Sequence, residues 1–159
     1  MTRTVALAVD NGVELAAGAR RQLATAVSRM ARAAARRDGL RDYEVALRLT
    51  DDPTIRALNR TYRGKDTPTD VLAFAQREAR HAPARPGHPE LLGDVVISID
   101  TARRQARRGL AVELLHLASH GLCHLLGYDH QTDDEERTMN ARAAALRREA
   151  KRRGRVRAA

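Results

Sequence analysis

Ser119-His120-Gly121-Leu122-Cys123-His124-Leu125-Leu126-Gly127-Tyr128-Asp129-His130 sets two histidines four residues apart inside an apolar run. Residues four apart on a helix lie one turn apart on the same face, so His120 and His124 are placed to share one metal ion. Gly127 reads as the stop of that helix, because glycine accepts the left-handed conformation that closes a helix end. The chain can then double back and bring His130 to the pair. Three neutral imidazoles suit a zinc ion that keeps its fourth position open for water, the catalytic arrangement rather than the structural one. A single histidine on an apolar helix is usually a packed core residue; three of them with two glycines at this spacing point to a metal site. Two alternatives stay open. His116 stands one turn before His120 and is a candidate ligand in place of His130, or a residue behind the ligands. Cys123 is also within reach, although a lone cysteine in an apolar helix is more often a small buried hydrophobe.

Outward from this helix, read as Val112 to Leu126, local patterns assign the rest of the chain. Thr132 and Glu135 form a capping-box pattern that opens a last helix, with Met139 and Leu146 on its inner side. The stretch from Arg142 to Arg157 is strongly basic, either a solvated end or an electrostatic arm for RNA. Before the histidine helix, Thr101 to Arg108 reads as a basic helix, and Gly93-Asp94 leads into a strand, Val95 to Ile99. Arg77 to Glu90 is rich in Pro, Gly, Arg and His and reads as a mobile excursion, with His81 and His88 facing solvent rather than binding metal. Val71 to Ala75 is a short strand. It follows a dense polar loop, Tyr62-Arg63-Gly64-Lys65-Asp66-Thr67-Pro68-Thr69-Asp70, of the kind that carries function on a rigid scaffold. Asp52 reads as the cap of a helix with Pro53 at its first position and Ile55, Leu58 and Tyr62 as its apolar stripe. Tyr43, Val45, Leu47 and Leu49 alternate with Glu44, Ala46 and Arg48 as a half-buried strand. From Glu14 to Arg37 the apolar residues Leu15, Ala19, Leu23, Val27, Met30 and Ala34 recur at helical spacing, and Asp38-Gly39 ends that helix. Thr4 to Val9 reads as a first strand, closed by the turn Asp10-Asn11-Gly12. Strands separated by helices, followed by a helical C-terminal half, make a single α+β domain with a small mixed sheet of four strands.

Composition narrows the partners. The chain has 159 residues and a formal net charge of +9, with a sequence pI of about 11.0. That balance favours a polyanion, nucleic acid before an anionic membrane. Lys65 and Lys151 are the only lysines; arginine suits bidentate phosphate contacts, although genomic base composition also enriches it. Aromatic residues are scarce and form no patch for stacking single-stranded bases, so phosphate and shape are expected to dominate binding. The single cysteine excludes an intramolecular disulfide and fits a reducing compartment. No leader-like segment and no apolar run of about 20 residues stand in the chain, so the expectation is a cytoplasmic protein with no membrane partner.

Taken together, the histidine helix and the polar loop resemble the YbeY family, rRNA-maturation endoribonucleases of the HGxxH zinc-hydrolase type. The family pattern H-G-x-L-H-L-x-G-Y-D-H matches His120 to His130, with Cys123 where leucine is usual. The loop pattern Tyr/Trp-Arg-x-Lys-Asp-x-Pro-Thr-Asp-Val-Leu-Ser-Phe matches Tyr62 to Phe74, with Ala73 where serine is usual. Leu92 to Ser98 matches the family's Leu-Gly-Asp-Ile/Val-Val-Ile-Ser strand. Further departures are Ala143, where the last helix often carries glutamate, and the unusually basic tail. The resemblance implies a YbeY-like catalytic domain over residues 1–150 with a zincin-like metal helix, then a basic tail over 151–159. It implies one zinc ion held by His120, His124 and His130, with Arg63 and His120 as the catalytic candidates. It also implies single-strand-directed cleavage of RNA in 16S rRNA 3′-end maturation and ribosome quality control, with rRNA and the small ribosomal subunit as partners.

The residues bear on the chemistry independently. In HExxH peptidases the residue after the first histidine is a glutamate base, and here it is Gly121, which counts against a zinc peptidase. Arg63 could offer its guanidinium to the charge that builds on a phosphodiester transition state; its plain alternative is a salt-bridged arginine, paired with Asp66 or Asp70. A non-catalytic ribosome-associated RNA-binding factor with a structural zinc is the other class to be separated. Asp129 is the neighbouring carboxylate, with no assigned role as general base.

Overall fold

The structure, a computed structural model, describes residues 3–76 and 89–158, and over 152–158 the backbone only. Four strands and five helices follow one another as β1 (Arg3–Val9), α1 (Ala17–Asp38), β2 (Tyr43–Thr50), α2 (Asp52–Arg63), β3 (Val71–Ala75), β4 (Glu90–Ser98), α3 (Ile99–Gln105), α4 (Leu110–Leu125) and α5 (Asp133–Ala158). The strand order is β1-β2-β4-β3. β1 and β2 run parallel, as do β2 and β4, while β3 lies antiparallel on the β4 edge. This is the mixed four-stranded α+β domain expected from the sequence.

The side chains sort into two layers by strand alternation. Val45, Leu47 and Leu49 of β2, with Val95 and Ile97 of β4, face a large core. There they meet Leu23, Val27 and Met30 of α1, Leu114, Leu117 and Leu122 of α4, and Met139, Ala143 and Leu146 of α5. Val96 of β4 and Leu72 of β3, paired in register, point to the opposite face, where Ile55 and Leu58 of α2 cover them. Ala143 is buried in this core, so no carboxylate stands at that point of α5.

Several boundaries differ from the sequence reading: α1 begins at Ala17 rather than Glu14, α3 ends at Gln105 rather than Arg108, and α4 runs Leu110–Leu125 rather than Val112 to Leu126. Three further differences have a tertiary reason. The cap of α2 is Asp51, which accepts from the Thr54 N–H at 2.9 Å. Asp52 instead accepts from the hydroxyls of Ser98 and Thr101, both at 2.6 Å, and from Arg104 at 2.7 Å. β4 begins at Glu90, whose N–H donates to the Asp42 carbonyl at 3.0 Å, because β2 offers a parallel edge that far back. Ile99, read as strand, opens α3, since the Ser98 hydroxyl caps that helix by accepting from Thr101 N–H. The excursion read over Arg77 to Glu90, with His81 and His88, lies outside the described residues except for its last two. α5 continues through Lys151 to Ala158, the stretch assigned above to a basic tail.

Candidate active site

α4 is apolar on most of its surface, and Leu114, Leu117, Ala118, Leu122, Cys123 and Leu125 are buried. That burial leaves His120 and His124 half-exposed on the remaining face. The helix ends in tightening bonds: Leu126 N–H to the Cys123 carbonyl at 3.1 Å, and Gly127 N–H to that of His124 at 3.0 Å. Gly127 has φ +97°, which reverses the chain at little steric cost. Tyr128 N–H then donates back to the Cys123 carbonyl at 3.1 Å, and Asp129 accepts from the His130 N–H at 2.7 Å. These local bonds carry His130 to the pair.

The outcome is a cluster in which one ligand atom from each of His120, His124 and His130 lies within 4.8 Å of the others. His116 is not part of it; it is exposed and lines a separate cavity. Cys123 is fully buried in the core, the small-hydrophobe alternative. Burial pushes His120 down to about 4, helped by His124, His130 and His116 and opposed by Asp70. His124 is lowered as well, first by burial and then by His130. Both rings are therefore neutral at pH 7. The two Nε2 atoms face each other at 3.2 Å. Converging imidazole nitrogens, two of them on half-buried rings, are a donor set that fits a divalent transition metal.

The cluster opens into a cleft of about 670 Å³ lined also by Tyr62, Arg63, Thr69, Asp70, Phe74 and Asp129. α2 delivers Arg63 as its last residue, and Gly64, at φ +71°, caps the helix there. Asn59, buried in α2, donates to the Thr67 carbonyl at 2.9 Å and holds the loop that follows. The carboxylates offered above as partners of Arg63 are engaged elsewhere. Asp66 takes the Arg56 guanidinium at 2.9 and 3.2 Å. Asp70 accepts from its neighbour's N–H at Val71 and from Gln105 Nε2, at 2.8 and 2.9 Å. Among the described residues, Arg63 has no carboxylate partner, and its exposed guanidinium faces the same cleft as the histidines.

Residues 10–151 match the family described as endoribonuclease YbeY. The chain belongs to the endoribonuclease YbeY family. Its relatives include a YbeY endoribonuclease of Moorella thermoacetica, 48% identical over 79% of this chain and 85% of that one. Another, from Paramagnetospirillum magneticum, is 45% identical over 65% of each chain. A solution structure of a protein from Thermotoga maritima matches with a TM-score of 0.56 over 96% of this chain and 93% of that one. At 23% identity that likeness is one of fold.

Three contacts at the site were not read from the sequence, although the residues that make them were named. Tyr62, 65% exposed, packs edge-on to Phe74 with ring centroids 5.0 Å apart, so two of the chain's four aromatic residues do line the cleft. Asp70 sits close enough to act on His120. Gly121 is demanded by packing, since a Cβ there would meet Val95 Cγ1 at 2.5 Å. Tyr62 and Asp70 stand at the two ends of the polar loop, but nothing local shows that β3 turns them toward α4. No helix among the described residues is long and apolar enough to cross a membrane.

Proposed function

We propose that this chain is a zinc-dependent, single-strand-directed endoribonuclease acting in the cytoplasm on the 16S rRNA 3′ end and in ribosome quality control, at the small ribosomal subunit. The observation that carries the reading is the convergence in one cleft of three histidines and an arginine that has no carboxylate partner among the described residues. Membership of an endoribonuclease family assigns the chain to hydrolases acting on phosphodiester bonds of RNA.

His120, His124 and His130 would hold the ion. Bound there, zinc would polarise a phosphoryl oxygen and acidify water toward pKa ~7. Among the described residues Arg63 is not committed to a carboxylate, so its fork is available to a non-bridging phosphate oxygen as charge builds there. Asp70, held by the Val71 N–H and Gln105, orients through those bonds and sets the field at His120. Tyr62 and Phe74 give the cleft an apolar wall against which a base can rest. A peptidase is disfavoured by more than the missing glutamate: α4 packs so tightly on Val95 that position 121 has no room for any side chain.

The test is cleavage of a 16S precursor 3′-end RNA by wild type and by Arg63→Ala/His120→Ala, purified identically. Cleavage by wild type alone is the expected result. Equal cleavage by both would place the activity outside this cleft. RNA binding without cleavage by either would support the non-catalytic ribosome factor instead.

A further inference from the structure

A second concavity, of about 620 Å³, lies beside the metal cleft where the end of α3, the start of α4 and α5 meet. Its wall carries Arg107, Arg108, Arg147, Arg148 and Lys151, and Glu113 is the one carboxylate among its lining residues. Arg147 donates to the buried Ser119 hydroxyl at 2.8 Å and is structural. Among the described residues, Arg107, Arg108, Arg148 and Lys151 have no carboxylate partner, and all four are exposed. Like charges gathered in a hollow repel one another and concentrate positive potential there, and an anion relieves both effects.

The hollow is joined to the metal cleft by one side chain. Gln105 Nε2 donates to Glu113 Oε2 at 3.1 Å on the basic side and to Asp70 Oδ2 at 2.9 Å on the cleft side. A strand leaving the cleft past Asp70 meets Gln105 and then the arginines. The hollow is concave, and its lining sets Val112, Leu115 and Ala144 among the cations; a strand's phosphates can enter such a hollow, whereas a membrane surface meets a helix along a convex apolar face.

We propose that this hollow is a second binding site for the phosphodiester backbone of RNA. A single strand seated in the metal cleft continues over Gln105 and places its neighbouring phosphates among Arg107, Arg108, Arg148 and Lys151. The site rests on the endoribonuclease reading for the identity of the strand, but not for its own chemistry.

The experiment compares the full chain with its R107A/R108A/R148A/K151A variant, using labelled single-stranded RNAs of about 4 and about 16 nucleotides. Binding is measured on a His120→Ala background over a salt series, and cleavage on the otherwise native chain. The variant is expected to bind the longer RNA about tenfold or more weaker. Its salt slope is expected to be shallower by about 3, at roughly 0.7 for each phosphate no longer neutralised on a single strand. Its affinity for the shorter RNA, its cleavage of that RNA and its thermal midpoint are expected to stay at wild-type values. Unchanged binding of the longer RNA overturns the proposal, as does an equal loss for both lengths. Loss of binding to anionic vesicles with RNA binding intact also overturns it. If no RNA is cleaved but the length-dependent loss is seen, the endoribonuclease reading fails and this site stands. If cleavage is robust and the variant matches wild type on the longer RNA, the reverse holds.

Discussion

Gly121 shows how one residue sets the distance between the metal helix and the sheet. A methyl group there would stand 2.5 and 3.0 Å from the two Val95 Cγ atoms, a closeness that packed interiors do not tolerate. Gly121→Ala is expected to destabilise the protein by about 1–3 kcal/mol, the range for overpacking, and to shift His120 relative to Arg63, lowering kcat. Val95→Ala removes both clashing atoms, so the double variant is expected to recover part of the loss. Additive effects in a double-mutant cycle would contradict this contact. Cys123, two residues on, is fully buried, and burial pushes its thiol up to about 11. The thiolate is the reactive form, so the native protein is expected to resist iodoacetamide and to be labelled only when unfolded. Mass spectrometry showing rapid labelling of the folded chain would count against a packed Cys123. The His-x-x-x-His spacing was readable because it is a property of one helix. The need for glycine at 121 was not, because Val95 lies on another element.

At the scale of elements, the position of Arg63 depends on how α2 is tied down at its far end. Asp52 accepts from Ser98 and Thr101 at 2.6 Å and from Arg104 at 2.7 Å, binding α2 to the β4–α3 junction. Burial raises the Asp52 carboxyl, but these hydrogen bonds outweigh it and hold the group below its ordinary value. A lowered carboxyl contributes stability above its unfolded pKa of ~4 and loses that contribution as pH falls through the folded value. Asp52→Asn is therefore expected to cost about 1–3 kcal/mol near pH 7 and progressively less below pH ~4. Urea melts at both pH values check this; a gap that stays constant would mean the charge is not involved. The helix itself was legible from Pro53 and the Ile55, Leu58 stripe. The choice between Asp51 and Asp52 as its cap was not, because the neighbours that claim Asp52 come from a distant stretch of chain.

At the scale of the molecule, a metal ion would connect α4 to the loop that carries His130. Ligands that bind only the folded state raise its stability, by about 2.7 kcal/mol at a hundred times Kd. For a domain of this size that corresponds to roughly 5–10 °C in Tm. Adding zinc to chelator-treated protein is expected to raise Tm by about that amount, and His130→Ala to abolish most of the shift. An unchanged midpoint would mean that the three histidines do not hold zinc. Such a link also explains why loop and helix carry ligands together: neither alone presents three donors on one side.

The sequence by itself determined the order of the elements and the placing of His120 and His124 on one helix face. Helical and strand periodicity, glycine stops and the four-residue histidine spacing are local, set by backbone geometry within a few residues. The fold class followed from their order. Only the tertiary structure decided that His130 rather than His116 completes the cluster, that Asp66 goes to Arg56 and so leaves Arg63 open to the cleft, and that Gln105 joins the cleft to a basic hollow. Those outcomes depend on which faces of separate elements pack together, and many side chains compete for each partner. The physical reason they escape a local reading is that burial is shared across the whole core, so the pairing at any one residue is settled by contacts far away along the chain.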